Sequence, residues 1–356
     1  MRFLEVIGSW INRYFSNEEA IYLVVLLVVG FMVLFTLGGV LAPVLTGLVL
    51  AFLLQGLVKR LVQWRVPQSV AVYLTFLLFI GGLIALMLFV VPLVWRQLQG
   101  LADALPSIIG RLQEAAQDFA TAFPEFVTDQ QIGVWVDTAA GELGNLSGPV
   151  LEALVTNVPS LVAFLIYLVL VPILVFFFLK DRQQLLDRLV SVLPQRRPLL
   201  TRVGDEMNVQ LANYVRGKFI EIIIVGSTTF VVFTLLGLNY AALLGVVVGF
   251  SVLIPYIGAA VVTIPVVLVG IIQFGWTWDL FWVMLGYGII QALDGNFLVP
   301  LLFSEAVGLH PITIIVAVLA FGGLWGIWGV FFAIPLATLF KAIYNAWPRE
   351  IPAEVL

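Results

Sequence analysis

Two carboxylates stand inside apolar runs of membrane-crossing length, Glu221 in 219–238 and Asp294 in 280–302. An ionisable side chain at the centre of a bilayer costs about 3 kcal/mol, and those that persist there mark ion and proton pathways. Tyr287, Gln291 and Asp294 fall on one helical face, and Gly286, Gly288 and Gly295 let a neighbouring backbone come close. Glu221 shares its face with Asn213, Gly217 and Thr228. Such groups are suited to binding and releasing a cation or a proton. A structural reading stands beside this one, with Glu221 as the partner of Lys218 near an interface and Asp294 as a cap or interhelical hydrogen bond at Gly295-Asn296.

A second kind of chemistry comes from backbone. The segments 240–272 and 311–342 are apolar and, as unbroken helices, would be about 45 to 50 Å long, too long for one ordinary crossing. Each contains breakers: Ile254-Pro255-Tyr256-Ile257-Gly258 in the first, and Gly322, Gly323, Gly326 and Gly329 around Trp325 and Trp328 in the second. Proline removes a donor and glycine permits tight turns. Non-helical backbone at membrane depth survives only when buried in protein or lining a cavity. Free carbonyls at such tips suit a cation, and half-helix N-termini suit an anion. The simpler alternative is two long, kinked, tilted helices.

The elements around these residues form a repeat. Gly237-Leu238-Asn239-Tyr240, the first break and Thr263-Ile264-Pro265 are followed about 70 residues later by Gly308-Leu309-His310-Pro311, the second break and Ala333-Ile334-Pro335. Repeats with a broken helix in each half build transporters that hold substrate near the bilayer midplane. If each break is a re-entrant hairpin, each copy crosses once and the copies are inverted. If each crosses fully, the copies are parallel. Segment length favours hairpins.

Composition sets the frame. The 356 residues are 62% hydrophobic and 11% charged, with no cysteine and one histidine, which reads as an all-α polytopic membrane protein without disulfide, thiolate or zinc chemistry. Eight hydrophobic segments are expected, at 21–37, 40–58, 70–94, 161–179, 219–238, 240–272, 280–302 and 311–342. The run at 21–37 follows Glu18-Glu19 and lacks a signal-cleavage pattern, so it is expected to remain as an anchor. Fifteen of the 17 cations lie before residue 66, between Lys180 and Lys218, or after residue 340, and belong on the cytoplasmic side with both termini. The acidic connection 95–157 belongs outside. These limits divide the chain into an interfacial amphipathic helix at 1–19, scaffold spans at 20–94, outer amphipathic helices at 95–157 with breaks at Pro106, Pro124 and 144–149, a span at 158–180, a basic helical loop at 181–213, a repeat unit at 214–346 (214–276 and 277–346) and a tail at 347–356. The cationic loop is diluted by Asp181, Asp187, Asp205 and Glu206, so no nucleic-acid partner is expected. Gly217-Lys218 lacks the remainder of a phosphate-binding loop, no Ser/His pair stands at credible positions, and neither enzyme activity nor a cofactor is expected.

Through Gly237–Tyr240, Ile254–Gly258, Gln291 to Asn296 with Pro300, Gly308–Pro311 and Ala333–Leu336, nearly the whole chain resembles the autoinducer-2 exporter family of bacterial permeases, most closely its PerM-like members. The resemblance implies an inner-membrane protein assembling into homo-oligomers, with pentamers expected, and a mobile transport unit in the C-terminal half. It implies secondary transport of a small polar molecule or exchange of cations or protons. The commoner family pattern has Glu where Asp294 stands and basic residues near Leu301 and Glu305, so no substrate is carried over. The candidate site residues are Asp294, Gln291, Asn296, Glu221, Pro255, Tyr256, Gly258, Gly326, Gly329 and His310. A membrane scaffold or regulator that uses the outer helices and basic loop is the competing reading.

Overall fold

The computed structural model describes residues 18–122, 141, 158–195, 197–303 and 309–347. The expected interfacial helix, the 144–149 loop, Pro124 and the tail beyond 347 lie outside them, as does Gly308. Regular structure among the described residues is entirely helical: α1 (Glu18–Gln63), α2 (Gln68–Ala85), α3 (Val91–Ala122), α4 (Val158–Lys180), α5 (Arg182–Ser191), α6 (Pro198–Leu235), α7 (Ala241–Ser251), α8 (Ile257–Phe274), α9 (Trp278–Leu293), α10 (Val299–Phe303), α11 (Pro311–Trp325) and α12 (Ile327–Ala346). Six helices are long and apolar enough to cross a membrane, or up to seven if the bent pair across Asp181 is one span. The chain is therefore an all-α polytopic membrane protein.

Several boundaries differ from those the sequence suggests. The runs 21–37 and 40–58, expected as separate crossings, are continuous in α1. α1 is nonetheless bent. Glu19 Oε2 accepts from Leu199 N at 2.9 Å, and a Cβ on Gly56 would lie 3.5 Å from Arg216 Cδ. α6 separates residues 199 and 216 by about 26 Å, which with side-chain reach leaves at most about 45 Å between residues 19 and 56, where a straight helix would need about 55 Å. Pro43 lies within the helix, near Gly38 and Gly39, and these residues supply the local cause of a bend. α3 continues through Pro106, where a break was expected; proline removes one helical bond there without ending the helix. The basic loop likewise becomes α5 and the first turns of α6, with no boundary at residue 214. Two π turns, Leu86–Val90 and Asp294–Leu298, interrupt long helices, and each is followed within two residues by a proline, Pro92 or Pro300.

The chain forms two compact units, one of Met1–Phe76, Leu170–Gly217 and Phe303–Leu356, the other of Leu77–Val169 and Lys218–Leu302. In the second, α7 and α8 form a hairpin. Gln273 at the end of α8 accepts from Asn239 N at 2.6 Å and donates to Gly237 O at 2.7 Å, so the two open ends are tied together. At the tip, Gly258 lies against the backbone carbonyl of Ser251, leaving no room for a Cβ. The hairpin packs on α6 through glycines: a Cβ on Gly249 would lie 2.9 Å from Gly226 Cα, and one on Gly245 would lie 3.0 Å from Gly226 O. With lipid as solvent, such close backbone approach replaces the hydrophobic drive of a soluble core. Val248, Val266, Val283 and Phe233 fill the interior beside it.

In the first unit α11 and α12 make the second hairpin. A Cβ on Gly322 would meet Val330 Cγ2 at 2.8 Å, and Gly329 lies against the Phe321 carbonyl, again without space for a side chain. An unbroken helix would hold residues 321 and 329 about 12 Å apart along its axis. Phe31 of α1 stacks against Phe321, Trp325 and Phe340 at ring-centroid distances of 6.5, 5.6 and 6.2 Å. Both breaks thus occur where the sequence places them.

Alanine at Gly258 or at Gly329 is expected to lower stability by about 1–3 kcal/mol or more, because the methyl group must displace backbone. Gly288→Ala, whose Cβ would meet nothing within 4 Å, should change stability by less than about 1 kcal/mol. Thermal melting of the detergent-purified variants separates these outcomes.

Candidate functional site

Helix α6 and the π turn after α9 bring charge to the tip of the first hairpin. α7 ends at Ser251, where Phe250 O and Ser251 O accept from Leu253 N and Ile254 N at 3.1 and 3.0 Å in tight turns, and Val252 is its C-cap. Lys218, buried on α6, donates to Val252 O at 2.7 Å. Its Nζ also lies 2.8 Å from Glu221 Oε2, one turn along the same helix. Lys218 is 4% exposed and Glu221 is 1% exposed, so this is a buried ion pair. Such a pair is tolerated only with good geometry and further hydrogen bonds, and the Val252 carbonyl provides one.

Asp294 lies close enough to interact electrostatically with both Lys218 and Glu221. It stands at the start of the π turn that ends α9, where Val299 N donates back to Asp294 O. Single π turns of this kind are frequent at functional sites. Asp294 Oδ1 and, one turn earlier, Gln291 Nε2 are buried and have no hydrogen-bond partner among the described residues. Buried orphan groups are rare and point to a water, ion or ligand. The cluster of Lys218, Glu221 and Asp294 contains one more acid than base. Earlier on α9, Tyr287 Oη pairs with Thr263 Oγ1 at 3.0 Å and bridges α9 to α8.

The tip itself is strained. Tyr256, directly after Pro255, has φ of 64° and is 60% exposed. A non-glycine residue in this region costs on the order of 1–3 kcal/mol and persists where its surroundings enforce it. Tyr240 at the start of α7 is also left-handed, with φ of 59°, and its hydroxyl donates to Gly100 O at 3.2 Å.

Of the residues singled out from sequence, Glu221, Gln291, Asp294, Pro255, Tyr256 and Gly258 all belong to the second unit. Asn296 belongs to it too, but its side chain donates to Ala292 O at 2.8 Å on its own helix. His310 caps α11, its Nδ1 accepting from Ile312 N at 3.3 Å, a structural role in the first unit. Gly326, with φ of 60°, and Gly329 form the tip of the second hairpin in that same unit. A cavity of about 440 Å³ there is lined by Gly38, Gly39, Leu45, Trp325 and Trp328. The indole N–H of Trp325 is buried without a partner among the described residues. The sequence pairing of Lys218 with Glu221 is present. The bond from Lys218 to the hairpin was missed, because helix periodicity carries no information about a contact 34 residues away. The Gly245-xxx-Gly249 spacing was a readable signal for the α6–α7 approach.

A family model described as the AI-2E family transporter matches residues 6–349. The chain is 46% identical over 345 residues to "Putative permease PerM" of Escherichia coli K12, covering 97% of this chain and 98% of that protein. It is 27% identical over 307 residues to "Putative transport protein YueF" of Bacillus subtilis, covering 85% and 82%. To "AI-2 transport protein TqsA" of Escherichia coli K12 it is 23% identical over 304 residues, covering 85% and 84%.

Lys218→Met leaves Glu221 buried without its cation and Val252 O without its donor, and should cost about 3–5 kcal/mol. Adding Glu221→Gln should restore at least half of that loss. Denaturant titration of the single and double variants in detergent measures the coupling; additive losses would show that the pair does not act as a unit.

Proposed function

The chain belongs to the AI-2E family of transporters, and from that premise we propose that it is a secondary carrier for a small polar solute or cation, coupled to protons or sodium. Membrane transport itself is what the family and its permease-named relatives share. The coupling reading rests on one observation: Gln291 Nε2 and Asp294 Oδ1, buried and unpartnered, beside an ion pair with one acid in excess. That excess negative charge suits a proton or a monovalent cation, and the neighbouring break in α7 and α8 supplies carbonyls that a cation can share. When the cation leaves, Lys218 can be shared between Asp294 and Glu221, so the unloaded site carries one excess negative charge rather than two.

In this reading both hairpins are re-entrant, the first from the outer face and the second from the cytoplasmic face, and the copies are inverted. α7 has 11 residues and α11 has 15, or about 17 and 23 Å of helix, short of a hydrocarbon core of about 30 Å. Both termini are then cytoplasmic, residues 95–157 are outside, and the membrane is the bacterial inner membrane. Measured from the outer ends of α6 and α9, Lys218 and Asp294 both lie about 25 Å down their helices, a common level in the cytoplasmic half. Alternating access follows if the C-terminal repeat, 214–346, moves against a scaffold of the first spans, within a homo-oligomer that is a pentamer in this reading.

Reconstituted into proteoliposomes, Asp294→Asn should fold yet lose flux by roughly tenfold or more, as removal of about 1.4 kcal/mol of ion interaction would produce, and its flux should no longer respond to pH. Full flux with unchanged pH dependence would refute coupling at Asp294. Orientation is read independently by single cysteines in this cysteine-free chain. Thr277→Cys should react with an impermeant maleimide in intact cells, and Ser304→Cys only after permeabilisation. The reverse pattern would overturn the inverted arrangement.

A further inference from the structure

A cavity of about 390 Å³ in the first unit lies among α1, α4, α5 and α6. Its polar lining is one-sided: Lys59, Arg182 and Arg216 with the amides Gln55, Asn208 and Asn213, and no carboxylate. None of the three cations has an ion-pair partner among the described residues. Arg216 is held in place, its stem crossing α1 at Gly56 and its Nε donating to Ala212 O at 3.0 Å, which leaves the other guanidinium donors unused. The rest of the lining is hydrocarbon, with Leu48, Phe52, Phe178 and Leu189 among it. α5 leaves α4 at 77°. A helix nearly perpendicular to a spanning helix lies along the membrane surface, and Leu185, Leu186 and Leu189 line the cavity from it.

We propose that this cavity binds an anionic phospholipid, with the phosphate of the headgroup held by Lys59, Arg182 and Arg216 and the acyl chains lying along the apolar wall. Charge complementarity selects this occupant. Three cations without a protein partner among the described residues, and no acid in the lining, are complementary to an anion, and the adjoining apolar wall suits a hydrocarbon that a free phosphate or a polar solute lacks. Basic pockets between spanning helices recognise anionic headgroups by this combination. A second copy related by a two-fold axis, presenting the same cationic patch to itself, would meet like-charge repulsion. The lipid would join the α1 bend region, the surface helix α5 and the start of α6, so it acts as a structural ligand of this unit.

The test is a native mass-spectrometry titration of the full detergent-purified chain with phosphatidylglycerol, with phosphatidylcholine and inorganic phosphate as separate arms. Phosphatidylglycerol should bind and phosphatidylcholine should bind far more weakly. Lys59→Gln, Arg182→Gln or Arg216→Gln should each weaken phosphatidylglycerol roughly fivefold, and the triple variant on the order of a hundredfold, from about a factor of five per cation. Should the triple variant fail to fold, Asn213→Asp places a carboxylate among the cations at constant size and should weaken binding in the same way. Equal binding of both lipids, undiminished binding to the variants, or occupation by inorganic phosphate that displaces the lipid would each overturn the proposal. So would lipid-independent association of subunits that the triple variant abolishes.

Discussion

A carbonyl that loses its helical partner inside a bilayer has no water to turn to, and at the end of α7 that problem is solved by a charge. Lys218 reaches from α6 to the Val252 carbonyl and is itself neutralised by Glu221. Each group depends on the others: the carbonyl needs the ammonium, the ammonium needs the carboxylate, and the carboxylate would be intolerable at 1% exposure alone. The approach of α6 to α7 through Gly226, Gly245 and Gly249 brings Lys218 within reach. Bulkier residues at that crossing would move the ammonium away from the carbonyl.

With the hairpin fixed in this way, Asp294 is the group left over. It faces a pair that already balances, and it carries a buried oxygen that nothing in the described structure satisfies. The π turn beside it widens the helix, so its carboxylate need not follow the spacing of an ordinary helical face. In the proposed reading, stability and transport chemistry are divided between neighbouring acids: Glu221 holds the frame, and Asp294 is the acid that would change partners.

Much of this was legible before any coordinates. Apolar runs and sparse charge gave the class, and Pro255, Gly326 and Gly329 marked both breaks, because backbone breakers act locally and show in sequence. Intramembrane depth marked Glu221 and Asp294. Contacts between distant residues were not legible, such as Lys218 to Val252 or Gln273 to Gly237, nor was the continuity of 21–37 and 40–58 in one helix. Periodicity describes a helix face but not what that face meets. His310 and Asn296 show the converse. A lone polar residue beside a family-like motif looks chemical in sequence, yet here one caps a helix and the other bonds to its own backbone.

The Gln273 side chain, bonded to both Gly237 and Asn239, closes the base of the first hairpin into a loop. Its arms cannot splay without breaking both bonds, so α7 and α8 are mechanically one body. At the two ends of that closure stand Gly237 and Gly275, both in positive φ, at 70° and 62°. The two points where this body joins the chain on either side are therefore glycines, the residue that adopts positive φ without steric cost.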